Sequence, residues 1–230
     1  MTSTPPLLRM LRRALAKAGT PARAEGARAY MKSTMPFHGV DAETLRAICR
    51  HVFAEHAVES ASAWRRDVLD TWRGARFREE RYAAIELTGD RRARNFQTMA
   101  SLPMYEEMIV TGAWWDLVDA LATKRLGEIL RHEVVPMRKA MRAWSRSGDL
   151  WKRRSAILCQ NTFKADTDLG FLFACVEPSL GSKEFFLNKA IGWALRSYAW
   201  TDARPIVKYV EAHRARLAPL SIREALKNVR

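Results

Sequence analysis

The sequence predicts an all-α fold, an α-solenoid of stacked helix pairs, and three observations carry that expectation. Apolar side chains recur at intervals of three and four residues along nearly the whole chain, the spacing that places them on one face of a helix. No run alternates apolar and polar residues between turn signals, so no strand is required. Similar apolar cores return around Ile85, Val118, Ile157 and Ile191, 33 to 39 residues apart, close to the period of helix-pair repeats. Such stacks curve, which in so basic a chain implies a concave basic face.

The elements follow in order. Pro5 opens the first helix, with Leu7, Leu8, Leu11 and Leu15 on one face. Thr20 before Pro21 reads as an N-cap with proline at the first helical position. Asp41 caps a third helix carrying Leu45, Ile48, Val52 and Phe53. Ser60 opens a fourth, which runs through Trp64, Val68 and Trp72 and ends near Gly74. A fifth carries Tyr82, Ile85 and Leu87 and stops at Gly89 and Asp90. Further helices are expected near 104–111, 113–126, 128–146, 149–163, 167–177, 183–200, 202–216 and 221–229. In the last, Ser221 and Glu224 have the spacing of a capping box.

Hydrophobic residues are 48% of the 230, enough to fold around a core rather than stay disordered. Nine prolines and 11 glycines leave no room for a long flexible linker, so residues 1–230 read as one domain. Lysine and arginine number 39 against 25 acids, a net charge of +14. That field attracts polyanions, of which nucleic acid is the commonest, although an anionic membrane surface or an arginine-rich coding bias would also account for it.

Cys49, Cys159 and Cys175 lie in apolar helical stretches and read as buried thiols of a reducing compartment. No pair of them has zinc-ligand spacing, and His51 and His56 fall on different sides of a helix, so neither metal nor cofactor is expected. No apolar run approaches the roughly 18 residues that span a membrane. The arginine-rich start runs on toward Tyr30 as helix rather than ending as a transit peptide, and a cytoplasmic monomer is expected.

Four segments stand out as carriers of chemistry. Tyr30-Met31-Lys32 precedes Pro36-Phe37-His38-Gly39-Val40; the others are Trp114 to Asp119, Trp151 to Leu158 and Phe185 to Arg196. Trp115 and Asp119, four apart, share a helix face, so an indole surface and a fixed negative charge lie side by side, and both favour a cation between them. An exposed acid beside a core tryptophan is the other reading of that pair. Arg154 closes a basic triplet with Lys152 and Arg153, suited to a phosphate clamp or simply a solvated face. Trp193 stands between Gly192 and Ala194, where small neighbours let a ligand approach an indole, or where it packs into the core.

Taken together, these segments resemble the AlkD-like DNA glycosylases over Tyr30 to Arg196, most of the chain. The resemblance implies a stack of HEAT-like repeats, double-stranded DNA as partner, and removal of cationic N3- or N7-alkylated purines. It implies that Trp115 and Trp193 hold the damaged nucleotide's sugar and backbone, that Asp119 is the catalytic carboxylate, and that Arg154 contacts a phosphate. Tyr30 and Lys32 match the family's N-terminal block, whereas His38 stands where a larger apolar or aromatic residue is expected. Lys189, four residues before Trp193, is placed for a backbone contact rather than a Schiff base, so base removal without strand cleavage is expected. The rival reading is a non-catalytic HEAT-like scaffold for DNA or an acidic protein.

Overall fold

A computed structural model describes residues 4–229. Among these residues are fourteen α-helices and no strand, so the all-helical expectation holds. The contacts divide the chain into two compact units, Met1–Phe96 and Gln97–Arg230.

The first unit contains α1 (Pro6–Ala18), α2 (Pro21–Met31), α3 (Ala42–Ala54), α4 (Ala61–Arg73) and α5 (Arg78–Leu87). Its core is the face read from the sequence: Leu8, Leu11 and Leu15 of α1 are fully buried with Val52 of α3 and Trp64 and Trp72 of α4. The caps at Asp41 and Ser60 form as expected, Asp41 accepting from the N–H groups of Glu43 and Thr44 and Ser60 from that of Ala63. Thr20 takes the N-cap position of α2 with Pro21 leading the helix, but its side chain makes no capping bond.

Two adjacent carboxylates at the start of α5 organise the strap before α3. Glu79 accepts from the backbone N–H groups of His38, Gly39 and Val40 at 2.9, 2.8 and 3.2 Å. Glu80 accepts from Arg12 Nε at 2.7 Å and reaches back to the N–H of Arg76 at 2.7 Å. His38 stacks on Phe77 with ring centroids 3.9 Å apart and contacts Glu80 through Nε2 at 3.2 Å. A histidine suits this position because it provides a ring face and a polar edge at once. Gly39 (φ 83°) is required: a Cβ there would meet the Thr20 carbonyl oxygen at 2.1 Å.

The second unit runs from α6 (Leu102–Gly112) to α14 (Pro219–Ala225). After α7 (Trp115–Ala120) the chain continues as a π-helical stretch, Leu121–Leu126, and then as α8 (Gly127–His132). The single helix expected over 128–146 is broken at Glu133 (φ −116°, ψ 60°), whose carboxylate accepts from the N–H of Met99 at 2.7 Å. Then come α9 (Val134–Trp144), α10 (Leu150–Leu158), α11 (Leu169–Val176), α12 (Phe185–Ala199) and α13 (Arg204–Ala212). Val118, Ile157 and Ile191, read as repeat cores, are buried here, as is Ile85 in the first unit.

The capping box expected at Ser221 and Glu224 does not form. Pro219 already starts α14, so both residues lie inside the helix. The Ser221 hydroxyl donates instead to the carbonyl of Asn188 at 2.8 Å, and Glu224 faces α12.

Candidate active site

Three helices of the second unit, α7, α10 and α12, bring Trp115, Asp119, Arg154, Lys189 and Trp193 around one cleft of about 350 Å³. Its exposed lining is mostly apolar, and Phe185 and Phe186 at the start of α12 complete the walls. Trp115 and Trp193 are each half-buried, so neither is a core tryptophan in the manner of Trp64. Trp193 packs one side against the hydrophobic core and leaves the rest to the cleft.

Asp119 is held by a two-point contact. Arg154 donates from Nε and Nη2 to the two carboxylate oxygens, each at 2.7 Å, and its Nη1 donates to the carbonyl of Phe186. The geometry is the fork that guanidinium and carboxylate form when both are ionised. Burial pushes the Asp119 carboxyl above the ordinary carboxylate range, against the downward pull of Arg154 and with a small upward push from Asp116. The pair is therefore an ionised couple in a poorly solvated place, with the acid easier to protonate than a surface aspartate.

The basic triplet does not act as one face. Lys152 pairs with Glu106 and lies over the Trp144 ring, and Arg153 donates to the Ser179 hydroxyl and the Pro178 carbonyl. Arg154 is only 3% exposed. A guanidinium carries five N–H donors, and three are engaged here, so two remain for a further acceptor. The expected phosphate contact is thus at most a second duty of a residue whose first partner is Asp119.

On α12, Lys189, Trp193 and Arg196 follow at spacings of four and three and share one face. Lys189 Nζ donates to Glu224 at 2.7 Å, and Arg196 donates to the same carboxylate. Tyr30 and Lys32 belong to the other unit: Tyr30, near the end of α2, is 74% exposed, and Lys32 is its left-handed cap (φ 49°).

The sequence reading placed Phe185, Phe186 and Arg196 in a chemistry-bearing segment without a role of their own, and read Glu224 only as half of a capping box. Arg196 was within reach of it, three residues after Trp193 on the same face. Among the described residues no cluster of three His, Cys, Asp or Glu could hold a metal ion, and no helix is long and apolar enough to cross a membrane.

Comparison with known proteins gives an independent line. A family model described as DNA alkylation repair enzyme matches residues 11–229. The fold is similar to the solved structure of a predicted DNA alkylation repair enzyme from Enterococcus faecalis, at 25% sequence identity and a TM-score of 0.83, over 92% of this chain and 96% of that one. No curated protein matches the chain.

Proposed function

The chain belongs to the DNA alkylation repair enzyme family, and from that premise we propose that it is a monofunctional DNA glycosylase, hydrolysing the N-glycosidic bond of cationic N3- or N7-alkylated purines in duplex DNA. The observation that supports this best is the ionised Asp119–Arg154 couple at an aromatic, largely apolar cleft. The burial of Val118, Ile157 and Ile191 at repeat spacing supports a HEAT-like helical stack in the second unit.

The chemistry suits so sparse a site. Alkylation at a ring nitrogen makes the base cationic, so it departs as a neutral leaving group with no general acid. What needs stabilising is the oxocarbenium-like sugar left behind. A carboxylate offers about four acceptor sites, and Arg154 occupies two. The remaining two can face the developing cation and accept from the attacking water, orienting it or taking its proton. Trp115 and Trp193 add the negative faces of their rings to the same positive charge. Arg154 fixes the carboxylate's direction before the substrate arrives, so no reorganisation is needed during the reaction. Lys189 is engaged by Glu224 and serves as a backbone contact, not as an imine-forming amine.

Because Arg154 fills half of the Asp119 acceptor sites, one alternative has structural support: a DNA-binding scaffold in which Asp119 is only the counter-ion of Arg154. One experiment separates the two. Single-turnover release of 7-methylguanine from a defined duplex, with protein in excess, should proceed with the wild-type chain and slow sharply with Asp119→Asn. Duplex binding without any base release would establish the scaffold.

A further inference from the structure

Glu224 lies on α14, the last helix, yet its carboxylate reaches a wall of the cleft. It accepts from Lys189 Nζ at 2.7 Å and from Arg196 Nη1, the two cations that flank Trp193 on α12. Its backbone carbonyl takes a longer contact from the same Arg196 nitrogen at 3.4 Å. The residue is itself 9% exposed, whereas the Lys189 side chain is 41% exposed and that of Arg196 20%. One nearly buried acid therefore holds two cations that remain open to the cleft.

The placement of that acid is fixed by packing. Gly192 lets α14 come so close that a Cβ at this position would meet Glu224 Cβ at 2.4 Å and the Ser221 carbonyl oxygen at 2.9 Å. The Ser221 hydroxyl adds its bond to the Asn188 carbonyl one turn earlier on α12. Ala225 is fully buried beside Glu224. With its Cα pinned in this way, Glu224 has little freedom to follow its partners, so the two cations settle on it. Both cations hold its carboxyl down at about 2, so the ion-paired form is kept across the whole neutral range.

We propose that Glu224 is a positioning residue of the cleft: it fixes Lys189 and Arg196 on either side of Trp193 to grip the backbone phosphate of the nucleotide seated there, and it cancels one of their two positive charges. Without it the same wall would carry two loose cations and one more unit of charge. It would grip any stretch of backbone more strongly and place the target nucleotide less well. The inference rests on the glycosylase reading of the site.

The test is Glu224→Gln, compared with the wild-type chain for binding to an undamaged duplex and for single-turnover release of 7-methylguanine at saturating protein. Affinity for the undamaged duplex should rise, and its log–log dependence on salt should steepen by up to about 0.9, the contribution of one added charge. Release at saturation should fall by about tenfold or more, the scale on which misplaced positioning groups slow a reaction. A purely structural ion pair predicts a lower melting temperature with salt slope and saturated rate both unchanged, and that result would overturn the proposal. Should the Gln variant melt below the assay temperature, Glu224→Asp keeps the charge but withdraws it by one methylene. Release should then slow with the salt slope unaltered, and a wild-type rate would equally overturn the proposal. If the wild-type chain releases no base at all, the glycosylase reading fails on its own, while the affinity and salt slope still decide whether Glu224 sets the charge of the wall.

Discussion

Arg154 presents Nε and Nη2 to the two oxygens of Asp119 at an identical 2.7 Å, so each of the two residues is the other's principal solvent. This changes what removal of either one means. Asp119→Asn takes away the charge that faces the sugar cation, and loss of one preorganised group of this kind typically costs about 2.7–4 kcal/mol in the transition state, a hundred- to a thousandfold in rate. Stability should change little by comparison, because burial already penalises the ionised Asp119 carboxyl by more than Arg154 offsets. The expected outcome is therefore a slow enzyme that melts close to the wild-type chain, measured by thermal melts beside single-turnover release.

The acid limb of the reaction should lie above the usual range for an aspartate. Burial raises the Asp119 carboxyl from its ordinary 3.8, and the working form is the carboxylate, so release should fall as pH drops through that raised value. The stability sign agrees: a raised acid favours the protonated native state, so the cost of ionising Asp119 is relieved at low pH and felt in full above its folded value. Arg154→Met removes the counteracting pull and should move the limb of any residual activity further up. A pH–rate profile at saturating protein checks both shifts.

Trp115→Ala and Trp193→Ala should slow release while leaving most of the stability. Each is half-buried at the cleft, whereas Trp64, 1% exposed, is a core residue whose truncation should cost about 3–5 kcal/mol. Melting temperatures of the three variants, set beside the release rates of the two cleft variants, make the comparison. A cleft variant that melts as low as Trp64→Ala with unchanged specific activity would return that tryptophan to the core.

Glu80 should govern acid stability of the first unit. Burial pushes its carboxyl up, but the bonds from Arg12, His38 and the Arg76 N–H pull it down further, to about 2 from an ordinary 4.5. A depressed acid stabilises the native state above its unfolded value and loses that contribution as pH falls from about 4.5 to about 2, on the order of 3 kcal/mol in all. Glu80→Gln should flatten this part of the stability-versus-pH curve, as urea denaturation at a series of pH values would show.

Local chemistry was legible in the sequence, and pairing across the fold was not. Asp41 and Ser60 could be assigned as caps because a cap is a contact with the next three residues. Ser221 and Glu224 have the same local signature, yet their partners are Asn188, Lys189 and Arg196, and only Pro219 two residues earlier hints that the helix has already begun. The partner of Arg154 is 35 residues away, and so is that of Lys189. Both separations fall within the 33 to 39 residues at which similar apolar cores return along the sequence. Trp115, Asp119, Arg154, Lys189 and Trp193 line one cleft, but the part that Phe185, Phe186 and Arg196 take in its walls was not legible within their own segment, because walls are built from several helices at once.

The π-helical stretch from Leu121 to Leu126 begins two residues after Asp119, and the hydroxyl of Thr123 donates to the Asp119 carbonyl at 2.8 Å. Such a stretch closes i to i+5 rather than i to i+4, so it holds surplus chain relative to an ordinary helix. Deleting one residue there would let the ladder relax to the common form and turn everything on its N-terminal side by about 100°. Asp119 would leave the cleft and Leu117, now buried, would be carried toward solvent. The length of this segment therefore sets the direction in which Asp119 points, while its buried side chains, Leu121, Ala122 and Leu126, hold it in the core.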